Sequence, residues 1–423
     1  MSTIEQIELK DELKINKIQP SVEIVTEITE EELVNSLKPI KQKKVLIVRV
    51  GGIGDSVILT VVAKQLHKKG YLVDFFTGSP NGDISQLFNG LDYLNEVKSV
   101  VRINGIDCVK DINEHNIPVE ILKSNYDEVY DYKLSIEHNK SGVNSSEGWR
   151  ESLNSNYINW VDLSLAWANI DYTLLSDEEK IPDVKCKDVE LYQKWYETTG
   201  LSLKNVEHNY RLIGIQLSAS SLVRTFYKAN ELPELLHKQY PDDIIVIFEG
   251  NSWYALTKFG KRKIEFDEDL NPMVQSIEIV KNLDVFLSAD SGFSHIASAL
   301  RVKCVTVYTT VPSWTRAKYY INQINIDAQA PCRPCFTLGG TCPLREKQAF
   351  EALTDREKDL IQSNNAGINI FDMAKKYQTI PNALNDEFKS AVGKLKALSA
   401  KVPECVESIS TDRILESIQE ILK

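Results

Sequence analysis

One stretch restricts the fold of this chain more than any other: an apolar strand, a glycine-rich turn and a helix follow one another directly. Residues 44–50 (KVLIVRV) form a β-branched run, which predicts a strand buried on both faces of a parallel sheet. The turn Gly51–Gly54 comes next, and residues 57–66 have apolar side chains at helical spacing. Residues 72–76 predict a second strand and complete a right-handed βαβ unit. The α/β class follows.

The second half of the chain repeats this arrangement. Residues 210–217 predict a strand, residues 218–221 form a turn of small residues, and apolar runs at 244–248, 285–288 and 305–308 predict further strands. Because 423 residues exceed what one core usually organises, we interpret the chain as two doubly wound α/β domains. The predicted regions are an N-terminal arm (1–40), a first domain (41–205), a second domain (206–385) and C-terminal helices (386–423) that pack across both domains.

Composition and charge exclude several classes of protein. The formal net charge of -11 provides no global field for a polyanion, which disfavours a general nucleic-acid binder. The longest apolar runs are far shorter than the roughly 18 residues of a membrane span. The acidic start of the chain lacks the basic and apolar regions of a secretory signal, and seven cysteines are too few for a disulfide scaffold. We therefore expect a cytoplasmic protein with reduced thiols, and whether it forms a homo-oligomer stays open.

The turn after the first strand lies where open α/β sheets bind ligands. The backbone amides of Gly51–Gly54 can approach an oxygen-rich ligand, although a tight turn alone explains the glycines equally well. The turn is neither a GxGxxG fingerprint nor a Walker loop, which disfavours an NAD oxidoreductase. Asp55, beside the start of the helix, is stabilised as an anion and can accept a proton. A helix cap is the alternative role for Asp55.

Residues 290–295 (DSGFSH) are the sharper signal, because they join an apolar strand to a helical segment. The amides and hydroxyls at such a helix N-terminus suit a diphosphate, with Gly292 allowing close approach and His295 able to donate a hydrogen bond. The alternative is that Asp290 and Ser291 only cap the helix while His295 packs beneath it.

The cysteines divide into two groups. Cys332, Cys335 and Cys342 have C-x2-C-x6-C spacing, close to that of a structural metal knuckle. Cys405 completes four ligands only if the C-terminal tail folds back. Reduced buried thiols are the alternative. The other three cysteines are predicted to be solitary core residues: Cys108, Cys186 and Cys304.

Four segments together resemble the ADP-heptose:lipopolysaccharide heptosyltransferase family, which is glycosyltransferase family 9. They are the turn ending in Asp55, the strand at 126–129, the turn at 216–220 and the DSGFSH box, and the resemblance covers roughly residues 43–345. It implies a GT-B fold, in which two Rossmann-like domains face a cleft, the first binding the acceptor and the second the nucleotide sugar. It implies inverting transfer with Asp55 as general base. The implied donor-binding residues are Gly54, Ser220, Ser221, Arg224, Glu249, Asp290, Ser291, Gly292 and His295.

The resemblance implies transfer of a sugar, with heptose as the first expectation, from a nucleotide-diphosphate donor such as ADP-heptose. The implied acceptor is a hydroxyl group of a saccharide or protein, and no cofactor is required for transfer. Relatives that modify autotransporters carry an iron-binding cysteine finger, so iron or zinc is the expected metal if the cysteine site exists. The sequence departs from the family at residues 224–227 (RTFY, often Lys-x-Trp-Pro) and 309–313 (TTVPS, usually Gly-x-Thr-x-Pro). Two other functions stay open: a GT-B nucleotide-sugar epimerase and a non-catalytic subunit that binds sugar nucleotides.

Overall fold

The structure, a computed structural model, describes residues 42–79, 82–110, 115–132, 158–185, 210–219, 222–226, 228–250, 252–333, 342–363, 386–399 and 403–423. The predicted N-terminal arm (1–40) and the predicted domain boundary near residue 205 lie outside these residues. In the part of the chain that is described, no helix is both long and apolar enough to cross a membrane.

The first sheet has six strands in the order β5-β4-β3-β2-β1-β6. They are β1 (Lys44–Val50), β2 (Leu72–Gly78), β3 (Glu96–Ile103), β4 (Ile106–Lys110), β5 (Asn116–Pro118) and β6 (Glu128–Asp131). Strands β3, β2, β1 and β6 are parallel, and the predicted strands of this half are confirmed. The antiparallel strands β4 and β5 are additional. A two-residue turn connects β3 to β4 through Asn104 (φ 49°) and Gly105 (φ 81°), the positive φ values that such hairpins require.

The second sheet has seven strands in the order β10-β9-β8-β7-β11-β12-β13. They are β7 (Leu212–Gln216), β8 (Ile244–Glu249), β9 (Ser252–Thr257), β10 (Gly260–Ile264), β11 (Val285–Ala289), β12 (Cys304–Tyr308) and β13 (Gln323–Asp327). Five of them are parallel, whereas β9 and β10 form an antiparallel hairpin at one edge. The four strands predicted for this half are confirmed.

The described α-helices are α1 (Ile53–Lys68), α2 (Val119–Leu122), α3 (Trp160–Trp167), α4 (Leu232–Gln239), α5 (Pro272–Lys281), α6 (Gly292–Ala299), α7 (Ser313–Ala317), α8 (Pro343–Glu351), α9 (Asp355–Ser363), α10 (Asp386–Ser399), α11 (Glu404–Glu407) and α12 (Thr411–Leu422). Helix α1 begins at Ile53, earlier than the apolar spacing predicted. Gly54 and Asp55 therefore lie inside its first turn rather than before it.

Both sheets reverse the direction of strand addition at their first strand. Strand β1 lies between β2 and β6, and β7 lies between β8 and β11. Such switch points leave a crevice at the carboxyl ends of the strands. Helices α1 and α6 begin at the two crevices and pack against each other, so both crevices open into one cleft. Two predominantly parallel sheets with helices, facing a common cleft, constitute the GT-B fold, and this prediction is confirmed.

The described C-terminal helices contact the second half of the chain. Apolar side chains of α12, including Ile414 and Ile418, join the core beneath the second sheet, and Lys303 Nζ donates to the Ile421 carbonyl (2.9 Å). Helix α10 packs on α8 and α9. In the described residues, the main contacts of this tail are thus with the second half of the chain, and packing across both halves stays a prediction.

Candidate active site

A cleft of about 870 Å³ lies between the two sheets, and both halves of the chain contribute to its walls. The first half supplies the turn before α1 and the start of that helix. The second half supplies the turn after β7 and the segment after β11. The described lining residues with polar or aromatic side chains are Asp55, Asp83, Gln216, Ser218, Arg224, Phe248, Phe266, Asn271, Ser276, Asp290, Ser291, Phe293, His295 and Arg316.

The two walls touch at glycine residues. A Cβ atom on Gly54 would lie 2.9 Å from Nε2 of His295 and closer still to Cδ2 of the same ring. A Cβ atom on Gly292 would lie 2.9 Å from Cβ of Ile53. Such separations are too short for a side chain, so the absence of Cβ allows the N-termini of α1 and α6 to meet. From the sequence, these glycines were predicted to allow close approach of a ligand. In the structure they also allow close approach of the opposite helix.

Replacing Gly54 with alanine is expected to lower the free energy of unfolding by about 1–3 kcal/mol, because the added methyl group forces His295 and α1 apart in a closely packed region. Gly393→Ala is the matched control. Gly393 is exposed in α10, and no atom lies within 4 Å of the place that an added methyl group would occupy. Alanine there should be neutral or stabilising by up to about 1 kcal/mol. Urea denaturation of both variants measures the difference. Equal stabilities would contradict the contact between Gly54 and His295.

Asp55 is the buried acid of the first wall, with 8% of its surface exposed. Its Oδ2 accepts a hydrogen bond from Arg49 Nη2, and its Oδ1 lies 3.9 Å from Arg316 Nη1. Arg49 is itself buried in β1, where Nη1 donates to the Tyr132 carbonyl at the end of β6 (2.7 Å). Asp55 is therefore the third residue of its helix and is held by two arginines. The alternative that it serves as the helix N-cap is wrong, because Gly52 occupies that position.

The charge of Asp55 is set by opposing effects. Burial raises the pKa of its carboxyl, but the Arg49 and Arg316 guanidinium groups outweigh burial and lower the pKa below the ordinary value of 3.8. Asp55 is consequently ionised at neutral pH and can accept a proton. The same arginines reduce its basicity.

Helices α1 and α6 are not capped by the side chain at their N-cap position. Gly52, the N-cap of α1, has no side chain, and Ser291, the N-cap of α6, makes no side-chain hydrogen bond to its helix. The Ser291 hydroxyl instead donates to Gln216 Oε1 (2.8 Å) at the end of β7. The first amide groups of both helices are thus available to an anion, as expected for a diphosphate site. Ser291 occupies the N-cap position of α6, as the alternative predicted, but its side chain does not cap the helix.

Asp290 is the buried acid of the second wall, with 2% of its surface exposed. Neither carboxylate oxygen has a hydrogen-bond partner among the described residues. Arg224 Nη1 lies 3.7 Å from Oδ2 and donates to the Asp290 carbonyl (3.1 Å). A buried carboxylate with unused acceptor capacity is costly unless a ligand supplies donors. Asp290 therefore suits the hydroxyl groups of a bound sugar.

His295 presents a neutral ring to the cleft. Its Nδ1 lies 2.5 Å from the Tyr320 hydroxyl, and burial, reinforced by the Arg316 charge, lowers the pKa of His295 to about 4. When the tyrosine hydroxyl donates to Nδ1, the remaining hydrogen of the imidazole is on Nε2, which lies near Gly54 together with Cδ2. In this tautomer His295 is a hydrogen-bond donor that carries no charge at neutral pH.

Aromatic side chains form the apolar end of the cleft. Phe248 lies against Phe293 and Trp253, with ring centres 5.0 and 4.8 Å apart. Phe266 and Met273 line the same region. Flat apolar surfaces of this kind accommodate a nucleobase.

Three further residues were predicted to bind the donor: Ser220, Ser221 and Glu249. Ser220 and Ser221 lie outside the described residues, so their roles stay predictions. Glu249 ends β8 with its side chain half exposed and paired with Lys261 Nζ (2.5 Å). It is not among the described residues that line the cleft, although its neighbours Phe248 and Gly250 are.

The cysteine hypothesis stays open. Cys335 lies outside the described residues, Cys332 and Cys342 are half-buried, and Cys405 is buried in the apolar core beneath the second sheet. Among the described residues there is no group of three or more potential metal ligands. Cys108 and Cys304 are buried, and burial raises the pKa of the Cys304 thiol to about 12, which fits the predicted inert core thiol. Cys186 lies outside the described residues.

Sequence reasoning missed three residues of the site: Arg49, Arg316 and Tyr320. The sequence does contain an indication for Arg49: a charged residue inside an otherwise apolar buried strand needs a counterion. Arg316 lies in the short helix α7 and Tyr320 lies just after it, and nothing in their local sequence indicates the side chains that they meet.

A family model described as glycosyltransferase family 9 (heptosyltransferase) matches residues 272–344. The match contains α5, the DSGFSH box and Arg316. No curated protein sequence matches the chain.

Three solved structures are similar at low identity. The glycosyltransferase family 9 protein of Veillonella parvula is 11% identical, with 90% of this chain and 97% of that chain covered and a TM-score of 0.47. The iron-containing dodecameric glycosyltransferase TibC of enterotoxigenic E. coli is 11% identical, with 84% and 77% covered and a TM-score of 0.45. E. coli ADP-heptose lipopolysaccharide heptosyltransferase II is 13% identical, with 68% and 91% covered and a TM-score of 0.41. TibC has also been solved with ADP-D-β-D-heptose.

Proposed function

We propose that this chain is a family 9 glycosyltransferase that transfers heptose from ADP-heptose to a hydroxyl group of a saccharide or protein, with inversion at the anomeric carbon. The family model that matches residues 272–344 supports this proposal. One observation carries the proposal. An ionised acid of the first half, Asp55, and the DSGFSH segment of the second half line the same cleft and meet at Gly54 and His295.

The proposed step balances as a single displacement. The acceptor oxygen forms a bond to the anomeric carbon while its proton passes to the Asp55 carboxylate. The bond between the anomeric carbon and the β-phosphate oxygen breaks, and ADP leaves with the electron pair. The hydroxyl becomes acidic only as its oxygen forms the new bond, so a carboxylate of modest basicity suffices. A positioned base contributes about 10²–10⁴-fold to the rate.

The second half would hold the donor. The free amides at the start of α6, the Arg224 guanidinium and the neutral His295 ring supply donors to the diphosphate. The unused acceptors of Asp290 receive hydrogen bonds from sugar hydroxyls. The nucleobase of the donor binds on the apolar surface around Phe248 and Phe293. ADP-heptose is the first donor to test, because the family model that matches residues 272–344 is described as heptosyltransferase.

ADP is expected to stabilise the protein against heat. A ligand present at 100 times its dissociation constant adds about 2.7 kcal/mol to the free energy of unfolding, which raises the melting temperature. Thermal unfolding with ADP, GDP and UDP measures both the rise in melting temperature and the preference for one nucleobase.

Asp290→Asn tests the proposed contact with the sugar. This variant should retain ADP binding and lose the additional stabilisation given by the sugar of ADP-heptose.

The outcomes separate the competing functions. Stabilisation by UDP alone would contradict ADP-heptose as donor. Binding of ADP-heptose with no transfer to any glycan or protein would favour a non-catalytic subunit. Conversion of the donor sugar without an acceptor would favour an epimerase.

A further inference from the structure

Arg316 lies in the cleft close to Asp55, the proposed general base, and close to the proposed donor site. It belongs to α7, is 5% exposed and lines the cleft. Its guanidinium carbon lies 3.0 Å from the centre of the Trp160 ring at the start of α3. Its Nη1 lies 3.9 Å from Asp55 Oδ1. Arg316 is thus a residue of the second half whose charge acts on the acid of the first half.

Residues from both halves fix α7 in this position. Asn159 Nδ2, just before α3, donates to the Trp314 carbonyl (2.9 Å). Ser313 donates to Asp327 at the end of β13 through its amide (2.9 Å) and its hydroxyl (2.5 Å). Contact with the Trp160 ring further restricts the movement of the guanidinium group. Arg316 therefore needs little reorganisation to meet an anion in the cleft.

The charges of the cleft favour such an anion. Among the described residues, the guanidinium groups of Arg49, Arg224 and Arg316 accompany two buried carboxylates, Asp55 and Asp290. The other charged residue of the described lining is Asp83, which is exposed at the rim. His295 is neutral, so three guanidinium groups balance three carboxylates when the exposed Asp83 is counted. A diphosphate bound beside Arg224 and Arg316 would lie close to two of the three positive charges.

We propose that Arg316 is a catalytic residue that binds the β-phosphate of the leaving nucleotide. The inference rests on the function proposed above. During transfer a proton neutralises Asp55 while negative charge develops on the β-phosphate oxygen. A guanidinium group beside both sites stabilises the anion at Asp55 before the reaction and the anion on the leaving group afterwards. Since its interaction with the phosphate strengthens as the bond breaks, Arg316 stabilises the transition state more than the bound donor.

Arg316→Gln tests this role, with Arg413→Gln on the exposed surface of α12 as the matched control. We expect the Arg316 variant to lower turnover by about 10²–10³-fold, as the loss of one group that stabilises developing negative charge typically does. Calorimetry should show ADP affinity falling by about 10- to 100-fold, with AMP affinity unchanged, because AMP lacks the β-phosphate. Arg316→Lys keeps the charge and should fall between the wild type and Arg316→Gln; it also serves if the glutamine variant fails to fold.

Inorganic pyrophosphate, measured beside ADP, separates this inference from the proposed donor. If the wild type binds pyrophosphate but not ADP, the adenine donor is wrong and the loss of pyrophosphate affinity in Arg316→Gln still supports the role of Arg316. If the wild type binds neither, both proposals are overturned. Unchanged ADP and pyrophosphate affinities with unchanged turnover in folded Arg316→Gln would overturn the role of Arg316 alone.

Discussion

Asp55→Asn is expected to lower the turnover of sugar transfer by about 10²–10⁴-fold, because the amide cannot accept the acceptor proton. ADP affinity should be unchanged or higher, since the substitution removes a negative charge near the proposed diphosphate site. Asparagine retains an oxygen that can accept from Arg49, so the side chain keeps its place. Initial rates with ADP-heptose, together with ADP calorimetry on the same sample, measure the two effects.

Asp83→Asn is the matched control for this prediction. Asp83 also lines the cleft, but it is exposed and its Oδ1 accepts from the amide and hydroxyl of Ser85. An asparagine there should change turnover by less than about threefold. Turnover of Asp55→Asn within tenfold of the wild type, in a folded protein that binds ADP, would exclude Asp55 as the general base. A parallel loss of ADP affinity would instead assign Asp55 to donor binding.

The central strands could be predicted from the sequence because burial on both faces leaves a continuous apolar run. Residues 44–50 and 244–248 are examples, and β1 and β8 form there. Edge strands lack this signal. In β10 the residues Lys261, Arg262 and Lys263 are exposed, so the segment has no apolar pattern and its pairing with β9 was not predicted. Strand β5, at one edge of the first sheet, is likewise too short to show an apolar run.

The glycine and hydroxyl parts of the site could also be predicted, because a small-residue turn between a strand and a helix is a local pattern. The partners of those residues could not. Arg316 reaches Asp55, and Tyr320 reaches His295, only after two sheets have packed together. The exact start of α1 also could not be predicted. The residues around it include glycines, so the apolar pattern that indicates a helix begins only later. The contact with His295 shows why Gly54 is tolerated there.

Arg49→Met is expected to lower the free energy of unfolding by about 3–5 kcal/mol at neutral pH, the usual cost of leaving one member of a buried ion pair without the other. Methionine fills much of the same volume, so the main change is electrostatic. Arg356→Met is the surface control. Its side chain is 76% exposed and paired with Glu387, and loss of such a pair costs at most about 1 kcal/mol. Urea denaturation of the three proteins measures the difference.

The pH dependence of this loss identifies its cause. In the wild type the lowered pKa of Asp55 contributes stability that is complete above the ordinary value of 3.8 and is lost as the pH falls through the lowered pKa. Without Arg49, burial outweighs the remaining attraction and raises the pKa of Asp55, so acidification relieves the buried charge. The stability difference between wild type and Arg49→Met should therefore narrow as the pH falls, and Arg49→Met/Asp55→Asn should recover part of the loss at neutral pH. A difference that stays constant with pH, with no recovery in the double variant, would instead assign the loss to packing and to the bond between Arg49 and the Tyr132 carbonyl.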